Sequence, residues 1–199
     1  MGKILNQKMD TRTKMMQVAF DLFHQQGVNA TSVDQILEKS GTGKSQFSHY
    51  FKNKEGLVHA CLQSFLSLLQ SGQAPVKPDL ETWKDLERWF NFFIGAQEST
   101  GCQRGCPIAT IANELTTNDE LIRQDVKMLF DHIKGGISTF FHKMKAKGEL
   151  KQDVDPDALA DYCLSVMQGG MVLSKVNRHT KAFENSVRHA ILYIHTLRV

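Results

Sequence analysis

The segment from Lys44 to Lys54 ends in a cluster of basic and aromatic side chains. Ammonium groups pair with phosphates, and imidazole and phenol groups can donate hydrogen bonds to phosphate oxygens. A lysine-rich helix end is often only a solvated surface, and His49 and Tyr50 could instead be structural residues. The combination of both residue types in so short a segment favours a surface that faces a polyanion.

Cys102 and Cys106 are a second candidate for chemistry. Cys106 precedes Pro107 at a predicted helix start, where the helix dipole and the nearby Arg104 would both favour a thiolate. A thiolate there, with Cys102 as resolving partner, would suit a sensor of oxidants or electrophiles. The alternative is a small residue that fills a tight helix start. The four cysteines are irregularly spaced and lack neighbouring metal ligands, so we predict free thiols.

The motifs of common enzyme classes are absent from the sequence. It has no phosphate-binding loop, no Gly-x-Ser-x-Gly elbow and no His-Glu-x-x-His pattern. The acidic residues at 119–120 and 153–157 suit helix caps and loops better than acid and base catalysis. We therefore predict a protein that is not an enzyme and uses neither a cofactor nor a metal. An all-helical enzyme with scattered catalytic residues would leave the basic cluster unexplained.

Three short helices must position the basic cluster. Apolar residues at helical spacing predict the first helix over about 11–26, and Gly27 ends it. Ser32 is of a type that caps a second helix, which Gly41 stops because glycine accepts a positive φ. A third helix follows over 44–50, and this pattern is typical of a helix-turn-helix whose second helix enters the major groove. The side chains expected to pack the third helix inward are Phe47 and Phe51.

The rest of the chain also shows helical periodicity, and no useful stretch alternates as a strand would. We predict an all-α fold with an N-terminal three-helix domain over 1–54 and a C-terminal helical domain over 55–199. A loop is expected at 71–78. The helices predicted in the C-terminal domain cover about 55–69, 80–98, 107–114, 119–147, 156–176 and 181–197.

Positive charge is concentrated at the N-terminal end. Residues 1–54 carry a net charge of +4 and the remaining residues −1, out of +3 for the chain. A basic domain on a nearly neutral body is typical of a small DNA reader. No run of eighteen apolar residues and no signal peptide is present, so we expect a soluble cytoplasmic protein with no membrane partner.

Four sequence signatures over roughly residues 10–60 resemble those of the TetR family of transcriptional repressors. They are Thr-Arg at the start of the first helix, Leu-Phe near its end, Gly-x-x-x-Thr-Ser before the second helix, and His-Tyr-Phe-Lys-Asn-Lys-Glu-Gly-Leu after the third. The resemblance implies a sequence-specific regulator of double-stranded operator DNA. It also implies a repressor that a small-molecule effector releases from that operator.

The same resemblance implies which side chains contact DNA. Thr31 would bond a phosphate at the N-terminus of the second helix, where backbone N–H groups favour an anion. Gln46 would read a base edge, since its amide pairs bidentately with adenine, and Lys44 would read guanine or hold a phosphate. Ser48 stands where family members usually carry tyrosine, which removes a large contact. The DNA-binding residues expected are Thr31, Thr42, Gly43, Lys44, Ser45, Gln46, Ser48, His49, Tyr50 and Lys54.

For the C-terminal domain the resemblance implies an effector pocket among the middle helices. Bulky side chains at helical spacing there suit an apolar or aromatic small molecule, although most such stripes belong to a core. His132, Tyr162 or Gln168 would orient the ligand. The pocket residues expected are Trp83, Trp89, Phe93, Cys106, Met128, His132, Tyr162 and Met167.

The last two predicted helices, over 156–176 and 181–197, would form a homodimer interface if the resemblance holds. Gly169-Gly170 lowers the stability of the first and indicates close approach by another helix. Two-fold symmetry would place two recognition helices in successive major grooves about 34–36 Å apart. The alternative is a pair of ordinary core helices within one chain.

Two other functions remain open from the sequence. One is a thiol-based sensor with the same fold that uses Cys106, because Gly-Cys-Pro followed by Asn113-Glu114-Leu115 resembles a subgroup in which some members respond to reactive species. The other is a ligand-independent architectural DNA binder, which would bind any duplex uniformly.

Overall fold

A computed structural model describes residues 10–73 and 80–199, which form nine α-helices and no β-strand. The predicted all-α fold is confirmed. Most of the loop predicted at 71–78 lies outside the described residues, as do Lys3 and Lys8. The helices are α1 (Thr11–Gln26), α2 (Val33–Ser40), α3 (Lys44–Phe51), α4 (Lys54–Gln70), α5 (Trp83–Ser99), α6 (Pro107–Ala112), α7 (Glu120–Ala146), α8 (Pro156–Asn177) and α9 (Lys181–Thr196).

Local sequence signals set the ends of the first helices. Asp10 accepts a hydrogen bond from the backbone N–H of Thr13 at 2.9 Å and so caps α1. The side chain of Ser32 caps α2 in the same way, as predicted. Gly27 and Gly41 follow the ends of α1 and α2 with φ of 87° and 63°, which residues with a β-carbon rarely adopt.

α1, α2 and α3 pack around one small apolar core, and we call these three helices the α1–α3 unit. Fully buried Met15, Phe23 and Ile36 form its centre, and Phe47 and Phe51 cover it from α3. Neither α2 nor α3 is long enough to be stable alone. The shared core therefore holds both in place.

α4 leaves the α1–α3 unit and packs along α7. Asn53 caps its first turn, with Oδ1 accepting from the backbone N–H of Gly56 at 2.8 Å. On α7 the buried carboxylate of Asp125 accepts from His59 Nδ1 and from Gln63 Nε2, each at 2.7 Å. A buried carboxylate without partners is costly, so these two bonds fix where α4 lies along α7.

α5, α7, α8 and α9 enclose the main core, whose centre contains Phe90, Phe140, Phe141 and Phe183. α9 packs closely on α8, because a β-carbon at Gly170 would lie 2.0 Å from the ring of Phe183. The close approach that Gly169-Gly170 predicts is thus made within the chain at the second glycine. None of the helices in the described ranges combines the length and apolarity needed to cross a bilayer.

Candidate functional site

The turn between α2 and α3 sets the direction in which α3 projects. Gly41 takes φ 63° and ψ 41°, and the N–H of Thr42 donates to the carbonyl of Leu37 at 3.0 Å. The hydroxyls of Ser40 and Thr42 lie 2.6 Å apart and share a hydrogen bond. Thr42 therefore stabilises the turn, and the residues that follow it, from Gly43 to Gln46, are exposed.

α3 has a buried side and an exposed side. The rings of Phe47 and Phe51 are buried with centroids 5.7 Å apart. The other side projects into solvent with polar and basic groups and one partly covered tyrosine. Of the predicted DNA-binding residues, Thr42 and Lys54 are half-buried, and the exposed members are Gly43, Lys44, Ser45, Gln46, Ser48, His49 and Tyr50.

Gln46 and Lys44 make bonds that a nucleic acid would have to replace. Gln46 Oε1 accepts from the backbone N–H of Gly43 at 3.1 Å. Lys44 Nζ lies 3.0 Å from Asp34 Oδ1, with both side chains strongly exposed. An exposed pair of this kind contributes only about 0–1 kcal/mol to stability, so Lys44 can leave Asp34 for a ligand at little cost.

Arg12 of α1 lies beside α3 and Lys14 beside the turn before it, although the sequence did not assign them to this surface. The guanidinium carbon of Arg12 is 5.8 Å from the ring centroid of Phe51. Lys14 Nζ is 3.7 Å from the position that a β-carbon would take at Gly41. Their contribution to the charge excess was the only signal in the sequence, because tertiary packing decides which side of α1 adjoins α3.

Thr31 does not lie on this surface, and the expectation that it bonds a phosphate is wrong. The residue is 0% exposed. Its hydroxyl donates to the carbonyl of Gly27 at 2.7 Å and accepts from Gln26 Nε2 at 3.2 Å. The α1–α2 turn thus uses the hydroxyl, and Ser32 is the side chain at the start of α2 that solvent reaches.

The eight residues expected to line an effector pocket do not meet at one cavity. Met128 is 42% exposed and Tyr162 is 36% exposed, and neither lines the hollow that Trp89 and His132 share. Trp83 is half-buried and packs against the core, with its ring edge-on to that of Phe140 and the centroids 5.2 Å apart. These differences arise because small errors in helix rotation move a side chain from the interior to the surface.

The other pocket residues divide between two places. Trp89 and His132 line a common hollow between α5 and α7, and the ring of Phe93 packs against that of Trp89 with centroids 5.0 Å apart. Cys106 and Met167 lie elsewhere, where both sulfur atoms are close to the side-chain amide of Gln168.

The hollow beside Trp89 has an inner and an outer part. The inner part measures about 30 Å³ and is otherwise lined by aliphatic groups. The outer part measures about 440 Å³ and shares Leu80, His132 and Gly136 with the inner one. His132 Nε2 is buried and has no hydrogen-bond partner among the described residues. Because unpaired buried polar atoms are rare, this nitrogen is a candidate partner for a water or a ligand atom.

The cysteines do not have the environment of a reactive thiolate. Burial raises the pKa of the Cys106 thiol, which is opposite to the expected shift. Arg104 does not approach it as a partner but pairs with Asp21 at 2.8 Å. Cys102 is buried as well, and burial raises the pKa of Cys163 to about 12. Within 10–73 and 80–199, no group of three or more His, Cys, Asp or Glu side chains is placed to hold a metal ion.

Two families match successive parts of the chain. Residues 16–61 match the family described as "Bacterial regulatory proteins, tetR family". Residues 83–190 match "Tetracyclin repressor-like, C-terminal domain". The first range includes the helix-turn-helix, and the second contains α5 to α8 and part of α9.

Individual proteins resemble the chain over most of its length. The HTH-type transcriptional repressor DhaR of Mycobacterium sp. (strain GP1) is 23% identical over 173 residues, which cover 87% of this chain and 86% of that protein. The transcriptional regulator AcuR of Cereibacter sphaeroides is 25% identical over 166 residues, covering 81% and 75%. The crystal structure of regulatory protein TetR from Rhodobacter sphaeroides superposes with a TM-score of 0.80 at 21% identity, covering 95% of this chain and 99% of that one.

The position of Thr31 leads to a prediction that separates folding from DNA contact. Thr31→Val should destabilise the chain by roughly 1–3 kcal/mol, because it leaves a buried carbonyl unpaired. It should leave the salt dependence of duplex binding unchanged, whereas Lys54→Ala should lower the slope of log K against log salt by about 1. Denaturant unfolding and fluorescence anisotropy at several salt concentrations measure the two effects. A slope change as large for Thr31→Val as for Lys54→Ala would place Thr31 on a phosphate.

Proposed function

This chain belongs to the TetR family of bacterial transcriptional regulators, and we propose that it is a repressor that a small molecule releases from its operator. Members of this family bind operator DNA and are dimers. The observation that carries the DNA-binding part of the proposal is the exposed side of α3. Its polar side chains project from a helix that two buried phenylalanines hold in place, at the basic end of the chain.

We infer that α3 enters the major groove with Lys44 and Gln46 facing the bases. For Gln46 to pair with adenine, its Oε1 must leave the N–H of Gly43. The adenine amino group then donates to Oε1 in place of that N–H. Ser48 contributes little contact area, so fewer side chains read the bases. Phosphate contacts are expected from His49, Tyr50 and Lys54 and, beside them, from Arg12 and Lys14.

The dimer interface is proposed to centre on a seam along α8. Tyr162, Ser165, Gly169, Val172 and Val176 are all exposed. Their spacing of three and four residues is that of a helix-helix seam. The two smallest side chains lie in the middle of the seam, where a second helix could approach most closely. A β-carbon at Gly169 would meet no atom within 4 Å, so the chain itself does not require this glycine.

α9 extends the seam into a wider apolar surface. The ring centroids of Tyr162 and Tyr193 lie 5.7 Å apart. Leu192 and Tyr193 are both more than half exposed, and Val176 on α8 is 71% exposed. Exposed apolar surface of this kind usually marks an interaction site. A second copy related by two-fold symmetry would cover it and bring in the second α3.

The effector site is proposed to be the hollow that Trp89 and His132 line. Gly135 and Gly136 lie in the middle of α7 and face its outer part. Each costs about 1 kcal/mol of helix stability relative to alanine, and a β-carbon at Gly135 would meet no atom within 4 Å. Because Asp131, Thr139 and Lys143 also line this outer part, it suits a small apolar or aromatic molecule that carries a polar group for His132 Nε2. Such a ligand would release DNA by favouring a conformation in which the two α3 helices no longer fit the grooves.

Selection of duplexes from a random library tests the proposed repressor function. The wild-type chain should enrich a palindrome with half-site centres about 34–36 Å apart. Gln46→Ala should still bind duplex DNA but lose about 1–3 kcal/mol of discrimination at one adenine position of each half-site. Uniform enrichment of all sequences would instead show the architectural binder, and an unchanged preference in Gln46→Ala would remove its assigned role.

The seam on α8 is tested by filling its centre. Gly169→Leu should shift the chain from dimer to monomer, because the larger side chain occupies the space where the two helices meet. Gly95→Leu is the matched control, since Gly95 is exposed in α5 and a β-carbon there also meets no atom within 4 Å. Sedimentation velocity measures both variants. A dimer that is as stable in Gly169→Leu as in the control would move the interface elsewhere.

The ligand class is tested with p-cresol and p-xylene, which differ mainly in a hydroxyl group. In a Trp83→Phe chain the indole N–H of Trp89 gives the sole tryptophan resonance, since the sequence has two tryptophans. Titrations that follow this resonance should show about tenfold tighter binding of p-cresol, the effect of one hydrogen bond to His132 Nε2. His132→Leu should abolish the preference. No binding of either probe, or an equal preference in His132→Leu, would reject the site.

A further inference from the structure

α6 is a six-residue helix that docks on α1 through the residues on both sides of it. Before α6, the guanidinium of Arg104 lies 2.8 Å from Asp21 Oδ1. The next carbonyl, that of Gly105, accepts a hydrogen bond from His24 Nε2 at 2.7 Å. After α6, Glu114 reaches the turn that follows α1. The short helix is thus attached to the α1–α3 unit at two separate points.

Of these two attachments, the contact of Glu114 places the stricter requirement on the residues around it. Its Oε2 accepts a hydrogen bond from the backbone N–H of Asn29 at 2.7 Å, across 85 positions of sequence. Its Oε1 lies only 1.8 Å from the position of a β-carbon at Gly27, which also has φ of 87°. Glycine is therefore the residue that lets the carboxylate approach the turn. The contact therefore depends on the absence of a β-carbon at Gly27 and on a side-chain oxygen at position 114.

The turn that Glu114 holds leads directly into the helix-turn-helix. The carbonyl of Gly27 accepts from the hydroxyl of Thr31 at 2.7 Å, and the N–H of Thr31 donates to the carbonyl of Val28 at 3.1 Å. Ser32 then caps α2. Because these bonds make the turn stiff, a displacement at Asn29 must move the start of α2 and, with it, α3.

The residues from Arg104 to Glu114, which we call the α6 segment, also contact α8, the helix of the proposed dimer seam. Gln168 Nε2 of α8 lies 3.6 Å from Cys106 Sγ, at the residue that precedes α6. The segment from Arg104 to Glu114 therefore bridges α8 and the α1–α2 turn. A change in the position of α8 has a direct physical route to the α1–α3 unit.

Glu114 also has room to leave its position. It borders a hollow of about 190 Å³ between the α1–α3 unit and the rest of the chain. Lys54, Glu55 and Asp119 line the same hollow. Rotation into this space would give the carboxylate a second arrangement, and two arrangements are what transmission of a conformational change requires.

We propose that Glu114 is a positioning residue for DNA binding, whose carboxylate holds the α1–α2 turn and thereby sets the orientation of α3. The inference rests on the proposed function, since the orientation of α3 matters only if α3 reads DNA. Contact between Glu114 and the turn maintains the orientation that binds DNA. Withdrawal of α6 breaks the contact and frees the α1–α3 unit to rotate.

Amide hydrogen exchange and duplex binding on the full-length chain test the proposal together. Glu114→Ala should speed exchange at the Asn29 amide about tenfold or more and leave the amides of α8 and α9 unchanged. It should also weaken binding to the selected duplex by roughly 5- to 150-fold, the usual range of coupling between sites. Glu114→Gln keeps an oxygen that can accept from Asn29 and should restore most of both properties. Asp153→Ala is the matched control, because it removes a carboxylate from the exposed connection between α7 and α8. It should leave both properties as they are in the wild-type chain.

Each outcome of these measurements is decisive. Unchanged exchange at Asn29 in Glu114→Ala would show that the contact does not hold the turn. Faster exchange with unchanged duplex affinity would show a contact that stabilises the turn without positioning α3. If the wild-type chain selects no duplex, the proposed function fails on its own, whatever the exchange rates of the variants are.

Discussion

α3 is only eight residues long, and a helix of that length has too few internal hydrogen bonds to be stable in water. Its position comes from Phe47 and Phe51, which are buried against the other helices of the α1–α3 unit and α4. α1 is bonded to the α6 segment, and α4 is bonded to α7 through Asp125. Two of the helices that hold α3 are therefore bonded to the C-terminal helices, so the position of the DNA-binding surface depends in part on the rest of the fold.

The contacts between the α1–α3 unit and the C-terminal helices combine apolar packing, as between the rings of Phe20 and Phe65, with polar bonds. Apolar side chains fill the interiors, where close packing resists displacement. Several contacts between the two parts are single hydrogen bonds and ion pairs, as at Asp21, His24 and Asn29. Such bonds are directional, yet they exchange with water at a modest net cost. The polar bonds of this connection can thus be remade more readily than its apolar packing.

Sequence patterns predicted the helices well because caps and positive-φ glycines are local signals, as at Ser32 and Gly41. They predicted the exposed side of α3 for the same reason. They failed where distant packing decides the outcome. The hydroxyl of Thr31 is used by a turn, the thiol of Cys106 is covered by α8, and the rotation of the long α7 turns Met128 outward. The partner of Glu114 was beyond reach, since no local pattern marks a contact across 85 positions.

The exposed seam on α8 also has a consequence for how the protein behaves at low copy number. If a pair of chains is the species that reads DNA, its amount rises with the square of the chain concentration while most chains are single. Occupancy of an operator would then respond more steeply to synthesis and dilution than it would for a reader active as one chain. A small residue such as Gly169, by setting how tightly two chains associate, would tune the expression level at which control begins.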